Sequence, residues 1–541
     1  MRRFIAAAAV FLLAVAGQAR DADRQSPFES DAAPRVKNRV DEIVFAAQTK
    51  QGIARARLAS DAVFVRRVYL DVIGTLPTAD EARAFIEDRD PDKRGALIDR
   101  LLTRDEFADY WAMKWCDTLR VKSEFPINLW PNAVQAYHRW IRAAIRDNVP
   151  YDRFARELLT ASGSNFRDAP VNFYRAVQSR EPRAIASAVA LTFMGARTDT
   201  WPDARLADMA AFFSQIGYKS TGEWKEEIVF FDPDKGAPAP APATASARAT
   251  ARRAAATGPR TAVLPDGTSV RLEAGQDPRE AFASWLTAPS NPWFARAAAN
   301  RAWHWLVGRG LVHEPDDIRP DNPPSHPELL AFLERELVAA RFDMKHVYRL
   351  ILESSTYQLS PVPASAPAPP DSSFAHALIR PLEAEVLIDA LNQITGMSEE
   401  YSSAIPEPYT FIPPEQRSIA LADGSIRSAF LETFGRPARD SGLASERPTQ
   451  PTAAQRLYLL NSGDVQRKLQ QGPKLQALLQ QRASPGEVVT ALYLTILSRF
   501  PTDAELRAVA EYAQAGGASR RAAAQDLAWA LVNSAEFGFR H

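Results

Sequence analysis

The 541-residue chain carries 65 basic and 65 acidic side chains, 46% hydrophobic residues and a single cysteine. That length supports two or three domains, and that apolar share excludes wholesale disorder. Zero formal net charge argues against a general nucleic-acid binder, which needs a basic surplus to neutralise phosphates, and one cysteine excludes an internal disulfide.

The chain opens with Met1-Arg-Arg, an apolar run from Phe4 to Gly17, and Gly17-Gln-Ala19, whose small residues suit a cleavage site. This predicts a secretory signal peptide over 1–19, cut after Ala19. The run is shorter than the ~20 apolar residues a helical span needs, and nothing later reads as one, so no stable membrane span is expected. No cysteine lies near the cut, which argues against a lipid-anchored lipoprotein. The mature protein is expected to be soluble and periplasmic or extracellular. Residues 20–37 are polar and read as a flexible N-terminus before a first helical domain over 38–235.

From Val40 the spacing is helical, with Val40, Ile43, Val44 and Ala47 on one face and Phe64, Val68 and Val72 on another. Leu76-Pro-Thr-Ala-Asp-Glu81 predicts a capping box, because the Thr78 hydroxyl can accept from the N3 amide while Glu81 reaches back. Helices are predicted over 78–87, 92–102, 105–120, 132–147, 151–160 and 180–194. Cys116, on the apolar side of a Trp-rich helix, reads as a core residue. Residues 236–260 change abruptly to Ala, Pro, Thr and Arg without apolar periodicity, the composition of a semi-rigid linker. A second helical domain over 261–541 opens on a hairpin at 261–272, turning at Asp266-Gly267, and holds an internal Pro/Ala linker at 361–373. The expected fold is mainly α-helical, two helical blocks joined by a Pro/Ala-rich linker, with a small β-hairpin. Residues 68–81 echo 492–505, with Tyr, Leu, Pro, Thr and Glu in register, and 101–107 echo 531–537. Two copies of a helix–capped-turn–helix unit, or re-use of good helix-stop chemistry, both account for this.

Several stretches carry a resemblance. Phe64-Val-Arg-Arg-Val-Tyr-Leu-Asp-Val-Ile-Gly-Thr-Leu-Pro-Thr78, Trp111 to Arg120, Pro150-Tyr-Asp-Arg-Phe-Ala-Arg-Glu-Leu-Leu159 and Asn172-Phe-Tyr-Arg175 resemble one member of a pair of planctomycete-type exported domains of unknown function. It is the cytochrome-associated domain, numbered fifteen-forty-nine in the unknown-function series. Asp277 to Leu286, Asn300-Arg-Ala-Trp303, Arg319 to Leu329, Phe434-Gly-Arg-Pro437 and Asn533 to Phe537 resemble its companion, fifteen-fifty-three. The resemblance implies an exported protein whose partner resembles the sulfatase and alkaline-phosphatase superfamily. Between the positions of Gly195 and Phe212-Phe213 the family typically carries Cys-x-x-Cys-His and then His-Pro-Phe, which resembles a c-type haem attachment site. Here Ala196, Arg197, Thr198, Asp199 and Trp201 stand in a shortened loop without Cys or His. Covalent haem is not expected there, and no cofactor or metal is assigned.

The densest polar cluster is Arg319-Pro-Asp-Asn-Pro-Pro-Ser-His326. Arg319, Asp321, Asn322 and His326 read either as a ligand site or as a proline-stiffened loop whose Ser325 or Asn322 caps the next helix. Arg436, Arg439 and Glu446, near Asp440 and Arg447, read either as a structural ion network or as a site for an anion or extracellular glycan. His304 and His313 flank Trp305 on a helix that reads as core or interface, and residues 354–358 lack a Gly-x-Ser-x-Gly elbow and read as a helix end. No catalytic residue is assigned. The expected function is an exported, non-catalytic helical binding or scaffold protein of a bacterial surface or periplasmic system. A hydrolase of extracellular polysaccharide using Arg319, Asp321 and His326 is the alternative, and an electron-transfer protein is a second one.

Overall fold

The computed structural model describes residues 26–235, 260–480, 483–515 and 519–541. The expected signal peptide and all but the last residue of the 236–260 linker lie outside them. The described chain is mainly α-helical, with three small antiparallel sheets of two or three strands.

Local chemistry sets the helix ends. Asn38 accepts from the Val40 amide to start Arg39–Lys50, and Ser60 accepts from Val63 to start Asp61–Ile73. The second of these helices is almost wholly buried and stops at Gly74, φ +60°, where a Cβ would run into the Tyr110 ring. Thr78 and Glu81 form the predicted capping box of Ala79–Glu87. Lys93–Leu102, Asp105–Thr118, Pro131–Arg146 and Tyr151–Thr160 follow close to their predicted places. Pro182–Val189 passes into a wider π turn, Ala190–Met194, which ends at Gly195 with φ +59°.

A three-stranded sheet in the order Gly163–Ser164, Glu227–Phe231, Ile216–Ser220 is absent from the sequence expectations. Its strands are short and one contains Gly217, whose missing side chain is replaced by the Phe230 ring lying across it. The predicted hairpin is present as Arg260–Val263 paired with Ser269–Leu272, turning at Gly267 with φ +88°. Pro278–Leu286, Phe294–Val307, Pro327–Ala339 and Met344–Glu353 come next. After Ala384–Thr395 the chain is largely irregular as far as the short helix Ala429–Thr433; the helices Ala453–Asn461, Gly463–Gln471 and Pro473–Leu479 then lead into the closing run Pro485–Leu497, Asp503–Ala515, Arg520–Val532 and Ala535–Gly538.

The two helical blocks are packed on one another. Pro278–Leu286 lies on Tyr151–Thr160, Met344–Glu353 lies on Lys93–Leu102, and the buried apolar residues of both blocks form one cluster. Buried arginines stitch the same seam: Arg66 donates to the Ile496 and Phe537 carbonyls at 3.0 and 2.8 Å, and Arg67 to those of Tyr357 and His541 at 2.7 and 2.8 Å. Residues 26–37, expected to be flexible, are held instead. The Ser30 amide donates to Leu58, the Phe28 ring meets His541 at 5.6 Å, and Lys37 reaches Gln358. Polar composition did not reveal the backbone edge at 58–60 that receives them.

Candidate functional site

One helix from each block sets the centre of the molecule. On Asp105–Thr118, Lys114 and Asp117 stand about one turn apart on one face, and on Phe294–Val307 Arg301, His304 and Trp305 do the same. Arg380, Glu383, residues 442–451 and Arg540 close the space between them to a cavity of about 200 Å³. Trp305 meets Trp111 and Trp115 edge-on, each at 5.5 Å, so the expected aromatic core is present and fixes His304 at the cavity wall.

Charges line this cavity in linked pairs. Glu383 is bound by Lys114 and, at 2.5 Å, by Arg540. Arg540 and Arg380 share Asp71 at 3.0 and 3.3 Å. Asp117 takes Arg439 at 2.9 Å and Arg447 at 2.7 Å, and Arg447 spans on to Glu385 at 2.8 Å. Burial would raise these carboxyls, but Arg540 and Lys114 outweigh it at Glu383, holding that group well below the usual carboxylate range. Arg447 leads the same effect at Asp117 and Glu385. Burial pushes the Lys114 amine down to about 8 and His304 down to about 3, so His304 is neutral at pH 7. Among the described lining residues, Lys114, Arg301, Arg380, Arg447, Arg456 and Arg540 outnumber Asp117, Asp316 and Glu383. Arg301 has no carboxylate partner among the described residues and donates to the Leu191 and Thr192 carbonyls at 3.3 and 2.9 Å.

Arg436 and Arg439 belong to the same network. Arg436 donates to the Ile426 and Asp423 carbonyls at 2.6 and 2.9 Å and lies 3.5 Å from Glu385. Glu446 stands apart from both, accepting from the Asp440 and Ser441 amides and closing its own loop.

Arg319, Asp321 and Asn322 line one groove, and His326 does not join them. Arg319 pairs with Asp317 and Asp321 at 3.2 Å each near the surface, and the Asn322 amide donates to the His313 and Asp317 carbonyls. His326 is only 6% exposed and faces the Phe374 ring at 5.3 Å, whereas the Asp321 side chain is 75% exposed. Neither Ser325 nor Asn322 caps Pro327–Ala339: the Ser325 hydroxyl is engaged by the Leu311 carbonyl, and His326 takes the cap position without a side-chain bond. Residues 354–358 do close a helix end, with the Ser355 and Thr356 amides donating to buried Asp41.

The loop over residues 196–201 is tied across the seam. Ala196 is buried, Arg197 pairs with Glu314 at 3.0 Å and Asp316 at 2.7 Å, and Asp316 accepts from the Ala444 amide at 3.0 Å. The Gly195 carbonyl accepts from Ile318 at 2.7 Å, Thr198 meets Ser187 at 2.6 Å, and Asp199 is exposed. Trp201 faces Arg319, Asp321 and Asn322 across a groove of about 610 Å³. A covalently held haem does not fit these residues, because thioethers need free thiols. The sole cysteine, Cys116, is buried in another helix, where burial pushes its thiol up to about 12.

Lys114, Asp117, Glu383, Glu385 and Arg540 are the site residues that sequence reasoning missed, whereas Arg447 was already placed in the Arg436–Arg439 charge cluster. A faint signal existed: Lys114 and Asp117 interrupt an otherwise aromatic helix face.

Two family models match the chain, PSCyt2, Protein of unknown function (DUF1549), over residues 39–210, and PSD1, Protein of unknown function (DUF1553), over residues 278–513. Neither a curated protein nor a solved structure matches it.

Proposed function

From the premise that this chain pairs the planctomycete-type PSCyt2 and PSD1 domains, we propose that it is a non-catalytic binding protein of an exported bacterial system, whose two domains close around an anionic group. The cations that line the partly open cavity, with Arg301 lacking a carboxylate partner among the described residues, carry this reading. Desolvated cations favour an anion far more than the same charges would in water. A general acid or base needs a pKa near the working pH; Asp117, Glu383 and Glu385 are held low and His304 lies near 3, which supports the non-catalytic part, and Lys114, the one cavity group brought near that range, is held by Glu383. Export rests on the pattern over residues 1–19. No helix among the described residues is long and apolar enough to cross a membrane.

Thermal unfolding and isothermal titration with sulfate, phosphate and acetate, each separately, test this. A ligand confined to the folded state adds about 2.7 kcal/mol at one hundred times its Kd, which raises the midpoint. Lys114→Met, which leaves Glu383 its Arg540 partner, should weaken the bound anion about tenfold, the scale of one charged contact of ~1.4 kcal/mol. No binding by any of the three anions would sink the cavity idea.

A further inference from the structure

A different feature lies in the groove beside the loop over residues 196–201. Arg205, in the first turn of Asp203–Ala211, holds its guanidinium 4.0 Å over the Trp201 ring and 5.4 Å from the Trp293 ring, so one indole comes from each domain. Among the described residues the Arg205 side chain makes no ion pair and donates no hydrogen bond, and its Nε is buried without a partner. The acid that it feels is Asp266, which is already engaged by the Trp285 indole at 2.8 Å and the Thr268 amide at 2.9 Å. Its neighbours differ: Arg296 and Arg319 on the same groove each have a carboxylate.

A guanidinium presents five donors in a rigid fork that matches a carboxylate or sulfate oxygen pair. Here the guanidinium has no carboxylate partner among the described residues and lies near two flat indole rings. The remaining walls are rich in proline, at Pro202, Pro292, Pro320, Pro323 and Pro324. Proline has no amide to donate, so these walls offer little edge for strand-like addition of a peptide. The volume, about 610 Å³, falls within the range of small-ligand sites, roughly 300–1,000 Å³.

We propose that this groove binds an acidic saccharide. A sugar ring packs its C–H face against the part of Trp201 or Trp293 that the guanidinium leaves uncovered, and the anionic substituent on that ring takes the terminal donors of Arg205. Asp321 on the facing wall accepts from ring hydroxyls. This site is separate from the central cavity and does not depend on it.

The test uses the full chain, with intrinsic tryptophan fluorescence and isothermal titration as readouts. A galacturonic acid trimer supplies the carboxylate arm, a sulfated galactose oligomer the sulfate arm, a maltotriose the neutral control and poly-glutamate the peptide control. An acidic sugar should shift tryptophan emission and bind, and whichever arm binds more tightly identifies the anion. Arg205→Gln should weaken it at least tenfold, Arg205→Lys should restore part of the loss, and Trp293→Ala should weaken it with an unchanged circular dichroism spectrum. Equal binding of maltotriose or poly-glutamate would overturn the proposal, as would wild-type affinity in Arg205→Gln. Should Arg205→Gln fail to fold, the Arg205→Lys and Trp293→Ala affinities decide alone. The cavity test uses inorganic anions and Lys114→Met, so either idea can fail without the other.

Discussion

Asp117 is the residue on which the central network turns, since Arg439 and Arg447 both depend on it. Removing one partner of a buried ion set leaves uncompensated charge, so Asp117→Ala should cost roughly 3–5 kcal/mol in urea unfolding. The sign of the pH dependence follows from the same groups. Asp117, Glu383 and Glu385 have folded pKa values below their ordinary ones. The stability they confer is therefore complete above the unfolded carboxylate range and is lost as pH falls through the folded values. Thermal midpoints should drop as pH is lowered below about 4.5. Asp389 has the opposite sign, because burial raises it to about 6 and ionising it in the folded state costs stability as pH rises from 3.8 to that value. Asp389→Asn should therefore be more favourable, relative to wild type, at pH 7 than at pH 4. Arg436 and Arg439 were legible in the sequence as a local cluster. Asp117 was not, because its Arg447 partner lies 330 positions away, and Arg447 reaches Glu385 across 62 more.

At the scale of elements, the sequence echo corresponds to repeated structure. Asp61–Ile73 ends in a left-handed Gly74 and hands over to the Thr78–Glu81 capping box, while Pro485–Leu497 ends in a left-handed Ser498 and hands over to Thr502 and Glu505, bonded in the same way. Each copy then gathers two glutamates and one arginine beside a tyrosine, although the arginine comes from a different place. Arg104 joins Glu81 and Glu106 near Tyr69, and Arg499 joins Glu505 and Glu536 near Tyr493. The two should not be worth the same. Arg499 has a side chain 7% exposed against 29% for Arg104. Arg499→Met should cost roughly 3–5 kcal/mol by stranding two carboxylates, and Arg104→Met, better solvated, about 1 kcal/mol, both by chemical denaturation. Capping boxes and the Asp266-Gly267 hairpin were legible because their partners sit within a few residues. The three-stranded sheet was not, since Gly163–Ser164 must find Glu227–Phe231 across the intervening helices.

At the scale of the whole molecule, the described residues share one apolar core, with polar stitches running between the blocks that sequence alone presents as separate. Calorimetry should accordingly show one unfolding transition rather than two. If a protease site is introduced between residues 236 and 259 and cut, the two pieces should co-elute in size-exclusion chromatography. Separate elution would mean that the seam contributes little. Mainly helical architecture was readable from periodicity alone, but the way the blocks close on each other was not, because composition marks a linker and says nothing of what its two sides bury together.

The Arg66 and Arg67 stitches also set a clock. Arg66 leaves the ribosome 471 residues before the Phe537 carbonyl it binds, and Arg67 474 residues before that of His541. At ~5–20 residues per second the wait is on the order of tens of seconds. Until its later partners are made each guanidinium lacks part of its acceptor set, and burying it early would carry a desolvation cost that is only partly offset. These contacts can therefore form only after the C-terminal helices have been made, which makes them late steps of folding.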